Sequence, residues 1–278
     1  MDVLKIAAFA DGSEGGNPAG VVLCDELPAP EVMQASAAEV GFSETAFAAL
    51  EEDKKSWRVR YFSPESEVPF CGHATIALGA ALAEKKGAGK YMLRLNDAEI
   101  SVEGAAAGDQ FAAALQSPPT RSEKLDASEI EATLALFGYD KSQLDETIPP
   151  ARVHGGADHY VFSLRSREDL QAMQYDLEAG RQFMRKRGLI TIMLVYRQDD
   201  QLFHVRNAFA SGGVLEDPAT GAAAAAFSGY LRDIDWPHGG KLNIIQGEDM
   251  GARSLIMAEF GPEPGSSIRV SGATRDIN

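Results

Sequence analysis

Cysteine is scarce in this chain, with only Cys24 and Cys71 among 278 residues, too few to staple a small scaffold together with disulfides. Positive charge is also short. Lys and Arg number 26 against 41 Asp and Glu, a formal net charge of -15, so a nucleic-acid backbone or an anionic membrane would be repelled. Neither nucleic acid nor membrane is an expected partner. Long apolar runs are missing as well, since a stretch such as Ala222 to Phe227 falls far below the roughly 20 residues that span a bilayer. The opening residues MDVLKIAAFADGSEGG have neither the basic segment nor the apolar core of a secretion signal, so a reducing cytoplasm is the expected location. The Gly12-Ser-Glu-Gly-Gly16 loop fits neither the dinucleotide fingerprint nor a phosphate-binding loop, because no Gly-Lys-Ser/Thr is present. No nucleotide or other cofactor is expected.

The remaining composition is that of a folded protein: 45% hydrophobic and 24% charged, with 27 Gly and 13 Pro. At about 150 residues per domain the length accommodates two domains, each with its own core. Val3 to Phe9 reads as a strand, Asp11 to Gly20 as a loop and Val21 to Cys24 as a second strand. Pro28-Ala-Pro-Glu31 then opens a helix that Gly41 is placed to end. Phe42 to Leu50 follows as a strand, which puts Glu44 at a helix-to-strand junction. Trp57 to Phe62 alternates bulky and basic residues as a strand does, and SPESEVPFCG is a loop leading into a helix from His73 to Lys86. From Ala74 to Ala83 that helix carries no charge on any face, so protein is expected to surround it.

The second half repeats the arrangement. Leu202 to Phe209 is a strand, Ala210 to Pro218 a loop and Thr220 to Leu231 a small-residue helix. Val59-Arg60 precedes Ala74-Thr75 much as Val205-Arg206 precedes Ala219-Thr220, and the two Ala-Thr pairs stand 145 residues apart, about half the chain. That spacing suggests a duplicated domain. The boundary is expected near Ser117-Pro-Pro119, with the first domain over 1–118, completed or not by 265–278, and the second over 119–264. The acidic, helix-prone stretch Glu123 to Phe137 opens the second half.

Three segments carry the chemistry when read together: Gly41-Phe-Ser-Glu-Thr45, Pro69-Phe-Cys-Gly-His-Ala-Thr75 and Glu216-Asp-Pro-Ala-Thr-Gly221. With Gly16-Asn-Pro18 before them and Gln246-Gly247 after, they resemble, in family order, the motifs of the PhzF-like phenazine-biosynthesis isomerases. The resemblance covers nearly the whole chain. It implies an α+β fold like that of diaminopimelate epimerase: two similar domains, each a mixed β-sheet or barrel wrapped around a central helix, with the active site in the cleft between them. It also implies a cofactor-independent isomerase in which Glu44 is the acid/base and His73 and Asp217 orient and polarise the substrate. Asn17, Ser43, Gly72, Thr220, Gly221 and Ala222 are the implied substrate contacts. A homodimer is implied as well. Ala222 departs from the family, which often has Ser there, and so offers one hydrogen bond fewer.

The residues support this reading on their own terms. A carboxylate is a weak base towards carbon in water and gains strength where a cleft desolvates it, and one group can then take a proton from one carbon and return it to another. No metal or nucleotide is needed for that. The uncapped amides at the two helix starts, beside Gly72 and Gly221, suit a carboxylate, so the expected ligand is a small carboxylated metabolite. Taken singly, Glu44 reads as a solvated carboxylate, His73 as a helix-starting residue and Asp217-Pro218 as a turn. Two further functions stay open: a two-base racemase or epimerase, and a non-catalytic small-molecule-binding or interaction protein. A two-thiol epimerase is disfavoured because Asp-Pro-Ala-Thr-Gly supplies no partner for Cys71, while Cys24 reads as core. His154-Gly-Gly-Ala-Asp-His159 offers two imidazoles, yet no further spacing completes a metal site, and no metal is expected.

Overall fold

A computed structural model describes residues 1–277 and divides the chain into two units, one of Met1–Gln116 with the residues from Ser271 onward, the other of Ser117–Val270. In the first unit the order is β1 (Leu4–Ala8), β2 (Asn17–Cys24), α1 (Pro30–Val40), β3 (Glu44–Leu50), β4 (Ser56–Phe62), β5 (Glu67–Val68), α2 (Gly72–Lys86), β6 (Gly89–Arg94), β7 (Glu99–Ala107) and β8 (Gln110–Gln116). β1 runs antiparallel to β2, β2 parallel to β3, β3 antiparallel to β4, β4 parallel to β6, and β6, β7 and β8 form an antiparallel meander. Pro30 and Glu31 occupy the first turn of α1, and Gly41, at φ 72°, takes the left-handed conformation that ends it, one that costs a side chain with a β-carbon.

β2 starts earlier than the expected Val21, and the loop before it is correspondingly shorter. Asn17 and Pro18 pair with Ala8 and Ala7 of β1, whereas the ladder to β3 begins only at Ala19, opposite Glu44. Pro18 therefore precedes that second ladder, and its missing N–H takes no bond from it.

The second unit contains β9 (Arg121–Lys124), α3 (Ala127–Phe137), β10 (Ala151–His154), β11 (Asp158–Leu164), α4 (Arg167–Gln171), α5 (Leu177–Arg187), β12 (Thr191–Arg197), β13 (Leu202–Ala208), β14 (Glu216–Asp217), α6 (Gly221–Asp233), β15 (Lys241–Gln246) and β16 (Ser254–Glu259). Glu123 is not helical as expected: the side chain of Asp126 accepts from the Glu129 amide and starts α3 there, and residues before this cap extend to pair with β10. From β10 to β16 the ladders run antiparallel, parallel, antiparallel, parallel, antiparallel. The same sequence of senses links β1, β2, β3, β4, β6 and β7. The short strands β5 and β14 fold back on β4 and β13 alike, and each leads into a long helix. The two units are thus two copies of one topology.

The last strand, β17 (Arg269–Asp276), returns to the first unit and pairs with both β1 and β8. Strands β1, β2, β3, β4, β6, β7, β8 and β17 then form a ring of ladders. α2 runs through it, buried without interruption from His73 to Ala83 and packed on β1, β2, β3, β6, β7 and β8. That accounts for a helix with no charged face. The fit is close: a β-carbon on Gly104 of β7 would lie 2.2 Å from the carbonyl oxygen of Gly79. α6 is buried over Ala223–Arg232, and its Phe227 packs edge-on to Phe203 of β13 at 5.1 Å. Among the described residues no helix is long and apolar enough to cross a membrane.

Candidate active site

In the first unit the expected residues converge where β3 and α2 begin. Gly41 ends α1, Ser43 is exposed, and Glu44 is the first residue of β3. His73, the second residue of α2, is buried. Its Nε2 lies 3.4 Å from Glu44 Oε2 and 3.3 Å from Ser43 Oγ, and its Nδ1 lies 3.3 Å from Cys71 Sγ. Both ring nitrogens are thus engaged, one by a carboxylate and a hydroxyl, the other by a thiol. A tautomer with the proton on Nε2 donates to Glu44 and accepts from the thiol. The helix start is itself pinned. Thr75 Oγ1 donates to the Cys71 carbonyl at 2.7 Å, so the buried Tyr61 hydroxyl, 2.7 Å away, donates to Thr75. Burial pushes the Tyr61 phenol up, which keeps it a donor. Asn17 is buried at the head of β2, two residues before Ala19, the ladder partner of Glu44.

In the second unit the expected residues gather around a buried amide. Gln246 Nε2 donates to the Asp217 carbonyl at 2.7 Å and to Thr220 Oγ1 at 3.0 Å, while Gln246 Oε1 accepts from the Thr220 amide at 3.2 Å. Thr220 Oγ1 in turn donates to Asp217 Oδ2. Gln246 therefore closes the Asp217–Thr220 turn from the end of β15. Gly247 is required beside it, because at φ 73° a β-carbon would meet the Ala252 carbonyl oxygen at 2.5 Å and that of Pro218 at 2.8 Å. Asn207 of β13, the ladder partner of Asp217, is fully buried, and its side-chain amide finds no hydrogen-bond partner among the described residues.

Gly72 and Gly221 are the first residues of α2 and α6, and neither preceding residue, Cys71 or Thr220, makes a side-chain cap. The first backbone bonds in these helices are Thr75 to Cys71 and Ala224 to Thr220, so the three amides before each have no intrahelical partner. They carry the positive end of the helix dipole. Ala222 brings its amide alone to this row.

Each unit also has an ion pair at the same place in its topology. Arg60 of β4 holds Glu67 of β5 through two contacts at 2.7 and 2.5 Å, and its hydrogen bond draws the Glu67 carboxyl below the ordinary range. Arg206 of β13 holds Glu216 of β14, its Nη2 2.6 Å from Oε2. These pairs tether the short strands that deliver the chain to His73 and Asp217. They escaped the sequence reading, although Val59-Arg60 and Val205-Arg206 belonged to the repeat; an acid seven or ten residues further on was the available signal. Gln246 was legible only as a motif member.

His154 Nδ1 is 2.5 Å from Asp158 Oδ1, and His159 Nδ1 is 2.7 Å from Thr191 Oγ1, so the two imidazoles serve separate structural contacts. Among the described residues the His, Cys and carboxylate donors that do converge are Glu44, Cys71 and His73, their atoms within 4.8 Å of one another.

Comparison with known proteins adds to this geometry. A family profile described as "Phenazine biosynthesis-like protein" matches residues 6–274. An uncharacterized isomerase of Mesorhizobium japonicum is 32% identical, over 92% of this chain and 90% of its own. The trans-2,3-dihydro-3-hydroxyanthranilate isomerase of Pseudomonas aeruginosa is 30% identical, over 96% of this chain and 94% of its own. Among solved structures, a phenazine biosynthesis protein of the PhzF family from Bacillus anthracis superposes with a TM-score of 0.87 at 21% identity, covering 100% of this chain and 98% of that one.

Proposed function

This chain belongs to the phenazine biosynthesis-like family and is an isomerase, and from that premise we propose that it moves a proton within a small carboxylated metabolite, with Glu44 as the base. The observation that carries the reading is Glu44 Oε2 standing 3.4 Å from His73 Nε2, a carboxylate beside a donor that orients it. Glu44 takes a proton from an activated carbon, and the electron pair of that C–H bond moves into a new C=C bond. The old double bond gives up its pair to a second carbon. Glu44, now the acid, delivers the same proton there, so atoms and charge balance without an added reactant. His73 holds the carboxyl and stabilises charge growing on the substrate. The amides opening α2 and α6 suit the substrate's carboxylate.

Asp217 enters this reaction on the strength of its motif, as the second polarising group, with Asn17, Ser43, Thr220 and the amides of Gly72, Gly221 and Ala222 as substrate contacts. The protein works as a homodimer in the cytoplasm. A relative named for trans-2,3-dihydro-3-hydroxyanthranilate makes that compound the first member of a panel of cyclic acids. Glu44→Gln keeps shape and hydrogen bonding but removes the base. Turnover of any acid converted by the parent should fall at least about a hundredfold, the lower end of general acid-base contributions, with the unfolding midpoint unchanged. A folded Glu44→Gln that keeps its rate, with Cys71→Ala inactive, would transfer the chemistry to the thiol. Acids that stabilise the protein yet are never converted would make it a binding module.

A further inference from the structure

We propose that Glu44, Cys71 and His73 form a binding site for one zinc-class divalent ion, and that an ion held there inhibits the enzyme. Zinc takes carboxylate oxygen and imidazole nitrogen at about 2.0–2.2 Å and thiolate sulfur at about 2.3 Å, so tetrahedral ligation sets the N–O edge near 3.4 Å and the N–S edge near 3.6 Å. His73 Nε2 already lies 3.4 Å from Glu44 Oε2 and 3.9 Å from Cys71 Sγ. The first edge matches, and the second closes with a shift of about 0.3 Å. All three donor atoms fall within 4.8 Å of one another.

The donors are held in place before any ion arrives. Glu44 is fixed by the first step of β3, and Cys71 and His73 flank the start of α2, which Thr75 and Tyr61 pin through the Cys71 carbonyl. Side-chain exposure is 16% for Glu44 and 8% for His73, enough for an ion to enter and little enough for its ligands to be largely dry. A carboxylate and a thiolate together balance a double positive charge, with neutral imidazole as the third ligand. As the metal–sulfur bond forms, the S–H bond breaks and its proton leaves to solvent, while the imidazole proton passes from Nε2 to Nδ1 so that Nε2 offers its lone pair to the ion. Thiolate and imidazole select zinc-type ions over magnesium or calcium, and three protein ligands leave a fourth position for water or for Ser43 Oγ, 3.3 Å from Nε2. Binding stands on this geometry, with the O–S edge, at most 4.8 Å, drawn in to about 3.6 Å on ligation; only the inhibition rests on Glu44 being the base, because an ion on the carboxylate withdraws its charge and makes it a weaker base towards a carbon-bound proton.

Cobalt(II) titrated into metal-stripped protein reports on both ligation and thiolate, through visible tetrahedral bands and a near-ultraviolet sulfur-to-cobalt band. The expected result is one equivalent bound, displaced by zinc. The sulfur band should vanish in Cys71→Ser, and affinity should drop at least tenfold in Glu44→Gln. Intact protein supplies a check that needs no variant: zinc should slow alkylation of Cys71 at least tenfold while leaving Cys24 unaffected. Absence of the sulfur band, its persistence in Cys71→Ser, unchanged affinity in Glu44→Gln, or equal alkylation with and without zinc would each overturn the site. Zinc that displaces the bound cobalt and leaves turnover untouched would overturn the inhibition and the role of Glu44 as base, with the metal site standing.

Discussion

The two equivalent ion pairs differ in burial, and that difference sets what each should cost to break. The side chains of Arg206 and Glu216 are 13% and 6% exposed, those of Arg60 and Glu67 20% and 27%. Arg206→Met strands the Glu216 carboxylate in a nearly dry position. Removing one partner of a buried pair costs about 3–5 kcal/mol, and the residual exposure places this case near 3 kcal/mol. Arg60→Met leaves Glu67 within reach of water and should cost about 1 kcal/mol or less. Adding Glu216→Gln to Arg206→Met removes the stranded charge and should recover about half of the loss. Urea unfolding followed by fluorescence separates the units, because the two tryptophans, Trp57 and Trp236, fall one in each. A Trp57→Phe background leaves Trp236 to report the second unit alone. Equal costs for the two arginines would refute the argument from burial. A double variant no more stable than Arg206→Met would place the loss in the bonds from Arg206 Nη1 to the Gln171 and Met173 carbonyls instead of in the charge.

Burial holds the pKa of His159 down to about 3, against 6.5 in the open chain, so the unfolded state takes up a proton that the folded state refuses. Its contribution to stability is complete above about pH 6.5 and is lost as pH falls towards 3, at about 1.4 kcal/mol per pH unit. Urea unfolding between pH 7 and 4.5 should show that slope, and His159→Gln should remove it; an unchanged slope in the variant would assign the effect elsewhere. The homodimer is checked by sedimentation equilibrium, where a single species of 29.8 kDa at micromolar concentration would exclude it.

The parts of the fold that were legible from sequence are those whose local signals agreed with their surroundings. α2 announced its burial by having no charge between Ala74 and Ala83, and Gly41 marked the end of α1. The α+β class and the PhzF-like family followed from motifs spread over the whole length, and both hold. The meander β6–β8 went unread because residues such as Gly104 to Gly108 and Ala112 to Ala114 give no alternation of large apolar and polar side chains; close packing on α2 demands small ones at Gly104 and Ala113. The helices α4 and α5 were also missed. They depend on Ser166 and Asp176 caps, which are weak signals outside a known frame. At the site, residue types and motif order named Glu44 and His73, but the contact between them joins residues 29 positions apart and is set by where β3 and α2 begin. Cys71 reads from sequence as one thiol of a disfavoured two-thiol epimerase, and its place against the His73 ring comes from the helix start.

The position of β17 in the chain has a consequence for synthesis. Residues 271–276 leave the ribosome after the whole of the second unit, yet they fill the gap between β1 and β8. Until then the first unit carries two unpaired strand edges, which are templates for pairing with other chains. The second unit is continuous in sequence and can close first. The nascent chain therefore inverts the usual N-terminal-first order, and interruption of translation between residues 117 and 270 leaves the half bearing Glu44 and His73 open, the state in which chaperones have most to protect.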